Sequence, residues 1–359
     1  MSSLTPRRRL LVIGVAAATA SITLAACSSE GGDGGSSADT LVVSTFPFGV
    51  EEFTEAVVDP FTEETGIEVE LDTGSNADRL SRLQLEGEDS GIDVMLISDT
   101  YAAIADQEGL FQQVDAEGVP ALEEIADFAI DPAYSGPAYS YQLNGVMYHT
   151  DQLDQADAAS WDLYADPALA GRVALPDIAV TAGQLTVSGV AATYGNGPYD
   201  VDTAFATMAE WAPNVLQFYS STTEFTNLLT QGEVQAGVAL NGFATDVIAA
   251  GEPIAWTPPE EGRYMATNRA MIPAGAPNLE GAQAFLDYLL SVEAQQSSAE
   301  LVGDLPVNLD VEMPDELTAV VGDLAADPTG AGYETLDPAE TVPNRNDWVE
   351  RFAREVVGG

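Results

Sequence analysis

Between residues 41 and 98 the chain alternates β-rich and helical runs with short connections, and this pattern restricts the fold more than any other feature. Leu41 to Phe46 is a short β-rich run. Phe53, Val57, Val58 and Phe61 then fall on one helical face, and Gly66 ends that helix. Ile67 to Leu71 alternates as a strand, Asn76 is placed to cap a second helix bearing Leu80 and Leu83, and Ile92 to Ser98 is a continuous apolar strand. Strand, helix, strand, helix, strand implies parallel pairing with right-handed crossovers, an α/β fold. Such sheets place ligands outside the carboxyl ends of their strands. Two strand-end loops are singled out on that ground: Phe46-Pro47-Phe48-Gly49 and Ser98-Asp99-Thr100-Tyr101. Pattern alone leaves open that they are ordinary turns.

From Tyr139 to Tyr148 a strand-like segment leads into a region with its own elements. Helix and turn are expected over Leu163 to Gly171, a strand over Val173 to Leu175, and helices over Gly183 to Tyr194, Phe205 to Trp211 and Phe225 to Leu229. Val234 to Leu240 reads as a buried strand ending at Asn241-Gly242, and Arg263 to Ile272 as another strand. Ala282, Phe285, Leu286, Leu289 and Leu290 form an i, i+3, i+4, i+7, i+8 stripe. A terminal helix carries Trp348 and Phe352.

The amino-terminal end reads differently. Arg7-Arg8-Arg9 precedes an apolar segment, Leu10 to Leu24, which at about 15 residues is shorter than the roughly 20 a membrane-spanning helix needs. Leu24-Ala25-Ala26-Cys27 then reads as a lipobox. Residues 1–26 would be a lipoprotein signal peptide, and Cys27 would become the acylated first residue, anchored to the outer face of the cell membrane or in the periplasm. Residues 27–39, rich in Gly and Ser, have nothing to bury and read as a flexible tether. Cys27 is the sole cysteine, so no intramolecular disulfide is available.

The formal net charge is −47, and all 11 basic residues are arginine. Such a surface lacks the basic footprint of a nucleic-acid binder. Adaptation to high salt and a compositional bias toward arginine account for it equally well. Apolar residues make up 46% of the chain, enough for one large domain or two ordinary ones.

Several stretches resemble the substrate-binding lipoproteins of ABC importers. Pro60-Phe61-Thr62-Glu63-Glu64-Thr65-Gly66-Ile67 is similar to that family's opening helix-to-strand turn. Ile92-Asp93-Val94-Met95 followed by Glu108-Gly109-Leu110-Phe111 is similar to its third strand and the helix end after it. Gly232-Glu233-Val234 with Asn241-Gly242 is similar to a central signature. Asn278, Glu280, Ala282, Phe285, Leu289-Leu290-Ser291, Glu293 and Gln295 match its late helix. Within the family the sequence most resembles spermidine/putrescine-binding proteins. The resemblance implies a two-lobed periplasmic-binding-protein-like fold with a ligand cleft between lobes. One lobe would hold residues 40–140 and 262–303, the other 141–261 and 304–359. It implies a monomer that captures a small polar solute, a polyamine first, and hands it to ABC permease and ATPase subunits, with no cofactor and no catalysis.

Carried over by position, the ligand-binding residues would be Phe46, Ser98, Thr100, Tyr101, Asp177, Asn241, Trp256, Asn268 and Arg269. Carboxylates suit the ammonium ends of a polyamine, and aromatic faces suit its methylene chain. The pattern departs from the family at several points. Its second acidic position is Thr181, the tryptophan before Asn241-Gly242 is Leu240, and a later tryptophan and aspartate are Ala266 and Asn268, followed by Arg269. Asparagine offers only neutral hydrogen bonds, and Arg269 would favour an anionic or neutral ligand. Thiamine, phosphonate, ferric ion and sugar therefore stay open as solutes. The rival of another class is a secreted carboxylate-dependent hydrolase, since acids are abundant. The single histidine, His149, lacks a Gly-x-Ser-x-Gly partner motif, and no metal site is expected.

Overall fold

A computed structural model describes residues 40–359. The expected signal peptide over 1–26, the tether over 27–39 and the lipid attachment at Cys27 lie outside the described residues.

The first alternation folds as its periodicity requires. The strands β1 (Thr40–Thr45), β2 (Glu68–Thr73), β3 (Val94–Ser98) and β4 (Phe111–Gln112) come first, and β1 pairs parallel with both β2 and β3. Residues 50–65 are helical, and Phe53, Val57, Val58 and Phe61 are all buried on the sheet. A π-helical turn, Thr54–Val58, interrupts that helix just before Pro60, which has no N–H to give to the carbonyl four residues back. Gly66, at φ 74°, terminates it. Helix Asn76–Glu86 is capped one residue earlier than expected: Ser75 accepts from the Asp78 N–H, and Asn76 is the first helical residue, free to use its side chain elsewhere.

The next strand, β5 (Ala138–His149), belongs to both halves of the molecule. After it come β6 (Val173–Pro176), β7 (Val215–Tyr219), β8 (Ala236–Leu240) and β9 (Ile254–Thr257) in one half, then β10 (Met265–Pro273) and β11 (Leu305–Pro306) back in the other. The sheet order is β2-β1-β3-β10-β5-β8-β6-β7. Residues Ala138–Leu143 of β5 pair antiparallel with β10, and Tyr141 and Ser140 also with β11. Residues Asn144–Tyr148 pair with β8, and Val146–His149 with β9. The strands β7 and β9 carried too little alternation to be expected; pairing with β6 and β5 holds them extended.

Helices Asn76–Glu86 and Asp99–Gln107 cover one face of the first half, around Leu80, Leu83, Met95 and Ile97. The opposite face packs Leu41, Val43, Phe61, Leu96, Phe285 and Leu289. In the second half Val173, Leu175, Val190, Phe205, Met208 and Trp211 form a separate core. The expected stripe Ala282, Phe285, Leu286, Leu289 and Leu290 is fully buried. Residues 304–359, expected with the second half, are divided. β11 lies on the first, and in helix Pro338–Phe352 Val342 packs on the first half's core while Trp348, Val349 and Phe352 pack on the second's. Among the described residues no helix is long and apolar enough to cross a membrane.

The halves are joined where three segments meet at Leu143-Asn144. Asn241 accepts from the Leu143 N–H with its side chain (2.7 Å) and donates its own N–H to the Leu143 carbonyl (3.0 Å). Asn144 donates its N–H to the Tyr264 carbonyl (3.1 Å), and the Tyr333 hydroxyl donates to the Asn144 carbonyl (3.0 Å). The second crossing also presses Gly262 on Gly189 of helix Thr181–Tyr194. Gly262 has φ +67°, and a Cβ there would stand 2.3 Å from the Gly189 carbonyl oxygen. Gly262→Ala is therefore expected to lower the unfolding free energy by about 2 kcal/mol or more, measured by urea denaturation.

Candidate functional site

The carboxyl ends of β1 and β3 open on a line of polar side chains. Ser98, the last residue of β3, accepts from Asn76 Nδ2 (3.1 Å), and Asn76 Oδ1 accepts from Arg79 Nη2 (2.9 Å). Asn268 of β10 stands opposite both Ser98 and Ser140 in register and donates from Nδ2 to Ser140 Oγ (3.1 Å). Phe46 caps the Arg79 end: the guanidinium lies 5.1 Å from its ring centroid, and the centroid of the Phe48 ring is 5.5 Å from that of Phe46. Arg79 itself is buried, donating to the carbonyls of Gly74 (2.9 Å) and Leu96 (2.8 Å), and burial lowers its pKa to about 10.

Between the halves lies a small cavity, about 20 Å³, with walls from three parts of the chain. Asp99, Thr100 and Tyr134 come from the first half, Thr181 and Gln184 from the second, and Thr341 from the terminal helix. Asp99 is the first residue of helix Asp99–Gln107. Its Oδ1 accepts from the Thr100 N–H (2.6 Å) and its Oδ2 from the Thr267 N–H (3.0 Å). Desolvation nevertheless outweighs these bonds and raises its pKa. Thr181 and Gln184 are three residues apart on one helix and so share its face.

The expected ligand residues fall into two groups. Thr100 lines the cavity, Ser98 and Asn268 belong to the polar line, and Phe46 stands at its end. The others serve the scaffold. Tyr101 packs against the core formed by Leu80 and Ile97. Asp177 accepts from the Ala179 N–H (2.8 Å) and closes the turn before helix Thr181–Tyr194. Asn241 is fully buried as the clamp on Leu143. Trp256 is core, not cleft wall: its ring covers Gly145 and its Nε1 donates to the Ala239 carbonyl (3.1 Å). Arg269 has no exposed surface. It lies 3.8 Å from the centroid of the Tyr134 ring and donates from Nη1 to the Ala129 carbonyl (3.1 Å). Asn268 and Arg269 are neighbours on one strand and so face opposite sides of the sheet, Asn268 toward the polar line and Arg269 toward the interior.

Tyr134 and Gln184 were not anticipated, and Asp99 was named only as part of its strand-end loop. Asp99 lay between two expected residues but reads as an ordinary acid favoured by a helix N-terminus. Tyr134 sits in a loop without periodicity, and nothing in the sequence marks it.

A chain of this topology, with an inter-half cavity at strand ends, has clear relatives. Residues 56–326 match the family model described as bacterial extracellular solute-binding protein. The chain belongs to that family. This solute-binding protein is 27% identical over 289 residues to the spermidine/putrescine-binding periplasmic protein 1 of Haemophilus influenzae, covering 78% of this chain and 79% of that protein. It is 24% identical over 307 residues to iron uptake protein A1 of Synechocystis, covering 80% and 82%. The crystal structure of an ABC transporter from Clostridium perfringens matches it at 27% identity with a TM-score of 0.78, covering 88% of this chain and 99% of that one. Its two halves are accordingly the two lobes of a periplasmic-binding fold, with the cavity between them.

Because Trp256 fills the core over Gly145, Trp256→Ala is expected to lower stability by about 3–5 kcal/mol, read from chemical denaturation.

Proposed function

We propose that this solute-binding protein captures a small organic cation, a polyamine such as spermidine or putrescine, and delivers it to an ABC permease and its ATPase subunits. The observation that carries this reading is the placement of charge around the cleft. Asp99 faces the cavity, forms no ion pair among the described residues, and shares the wall with hydroxyl and amide groups. The two arginines near the strand ends are withdrawn. Arg79 is bound to main-chain carbonyls, and Arg269 is buried against Tyr134. An anion entering here meets a carboxylate, whereas an ammonium meets acceptors.

The iron relative supports a metal alternative less well. Among the described residues no three His, Cys, Asp or Glu side chains gather into a group that could hold a metal ion. The net charge of −47 speeds the approach of any cation by steering, without setting specificity.

The rest of the reading concerns assembly. Residues 40–140 and 262–303 form the first lobe, and 141–261 the second, with the tail shared between them. The joint at Leu143-Asn144 acts as the hinge, and a ligand must part the lobes because about 20 Å³ holds roughly one water. Cys27, lipidated, anchors the chain through the tether at the outer face of the membrane. The protein works as a monomer and turns nothing over.

A thermal-shift panel of spermidine, putrescine, thiamine, a phosphonate, ferric ion and sugars tests the ligand class. At a hundredfold excess over Kd, a true ligand stabilises by about 2.7 kcal/mol. Stabilisation by the amines is expected, and its absence at millimolar concentration would sink the polyamine reading. Asp99→Asn should weaken amine binding about tenfold. Since burial raises the Asp99 pKa, amine affinity is expected to fall as pH drops through that raised value, while the ligand-free protein gains stability over the same window. Titration calorimetry across pH, paired with unfolding curves, checks both signs.

A further inference from the structure

Asp304 lies in the turn between helix Val292–Leu301 and β11. β11 pairs with β5 through Leu305 opposite Tyr141 and Pro306 opposite Ser140, which brings the Asp304 carboxylate to the Ser140 hydroxyl. Ser140 already accepts from Asn268 Nδ2, so its own proton is directed to Asp304. The polar line consists of two hydrogen-bonded runs that meet where Ser98 and Asn268 stand opposite in register. In the first, Arg79 donates to Asn76 and Asn76 to Ser98; in the second, Asn268 donates to Ser140 and Ser140 to Asp304. The second run ends on a carboxylate that forms no ion pair among the described residues. Burial without a counter-charge pushes that carboxyl up to about 6.

Two further acceptors follow on the same face of β5. Gln142 Oε1 is buried and unpartnered, and a Cβ on Gly242 of the second lobe would stand 3.3 Å from it. Asn144 Oδ1 is buried and unpartnered as well. Its orientation is fixed, because the Thr186 hydroxyl donates to the Ala182 carbonyl (2.6 Å) and so takes Asn144 Nδ2 as its donor (3.3 Å). Residues 140, 142 and 144 alternate along a strand, so these positions recur about every 7 Å. Together they form a track of acceptors that runs from the first lobe across the joint to the second. A linear molecule with spaced ammonium groups has donors for such a track.

We propose that Asp304, held on Ser140 and followed by Gln142, supplies from the turn before β11 the carboxylate absent at Asn268 and receives an ammonium of a polyamine lying along β5. This deepens the polyamine reading and rests on it.

The test is titration calorimetry of the purified protein with spermidine and putrescine. Asp304→Asn keeps the shape and removes the charge. Its Kd for spermidine is expected to rise about tenfold or more, while the ligand-free midpoint of thermal unfolding stays level or rises, because an uncompensated buried charge is gone. Gln142→Leu is expected to weaken binding several-fold. Unchanged affinity in Asp304→Asn together with a lowered midpoint would overturn the proposal and leave Asp304 as a strut between β11 and β5. Should Asp304→Asn fail to fold, unchanged affinity in Gln142→Leu overturns the proposal, and weakened affinity supports it. A wild-type protein indifferent to both amines overturns the polyamine reading itself, a failure separate from one seen only in the variants.

Discussion

The backbone of β5 at Leu143-Asn144 is the constraint on which the rest of the structure depends. Twelve residues of strand cannot be satisfied by one small sheet, and β5 finds neighbours in two: β10 and β11 on one side of the joint, β8 and β9 on the other. The joint is held by groups from every crossing segment. Asn241 closes two hydrogen bonds on Leu143, Tyr264 accepts from Asn144, and Tyr333 donates to it. These bonds are buried, so leaving any of them unmade would carry the desolvation of a lone amide or carbonyl. A strand this firmly tied fixes which residues face the cleft in both lobes at once.

That same strand explains how an acidic chain with few basic groups assembles a polar cleft. Arginines at strand ends would ordinarily compete with a cationic ligand for the carboxylates. Here Arg79 binds the carbonyls of Gly74 and Leu96, and Arg269 stacks on Tyr134, so neither neutralises Asp99 or Asp304 through an ion pair. Both carboxyls are raised by burial, which is the electrostatic condition of sites awaiting a positive charge. The apolar replacements Leu240 and Ala266 pack with Ala182, Leu185 and Tyr264 at the joint.

Much of the fold was legible along the chain. Periodicity located the helix bearing Phe53 and Phe61, the apolar strand ending at Ser98, and the stripe from Ala282 to Leu290, because each buries one face against a sheet. The short strands β7 and β9 were not legible, since pairing rather than pattern holds them extended. Of the candidate site, Ser98 and Thr100 were singled out because their loop follows a strand, and Asn268 by its position in the family pattern. Trp256 and Arg269 were assigned to the ligand by position but are turned to the interior, where a ring fills the space over Gly145 and a guanidinium stacks on an aromatic face.

The sequence by itself determined the α/β alternation, the kinship with solute-binding proteins and the places where strands end, since these follow from local periodicity and from short motifs. The tertiary structure alone decided which polar groups meet. Asn76, Ser98, Asn268 and Ser140 come from four separate elements and Asp304 from the turn before β11, and they meet only because β10 and β11 pair antiparallel with β3 and β5 in one particular register. A slip of one residue in β10 would turn Asn268 to the opposite face, away from Ser98 and Ser140. Cleft chemistry is therefore a property of the register, which forms between distant segments and leaves no mark on either one alone.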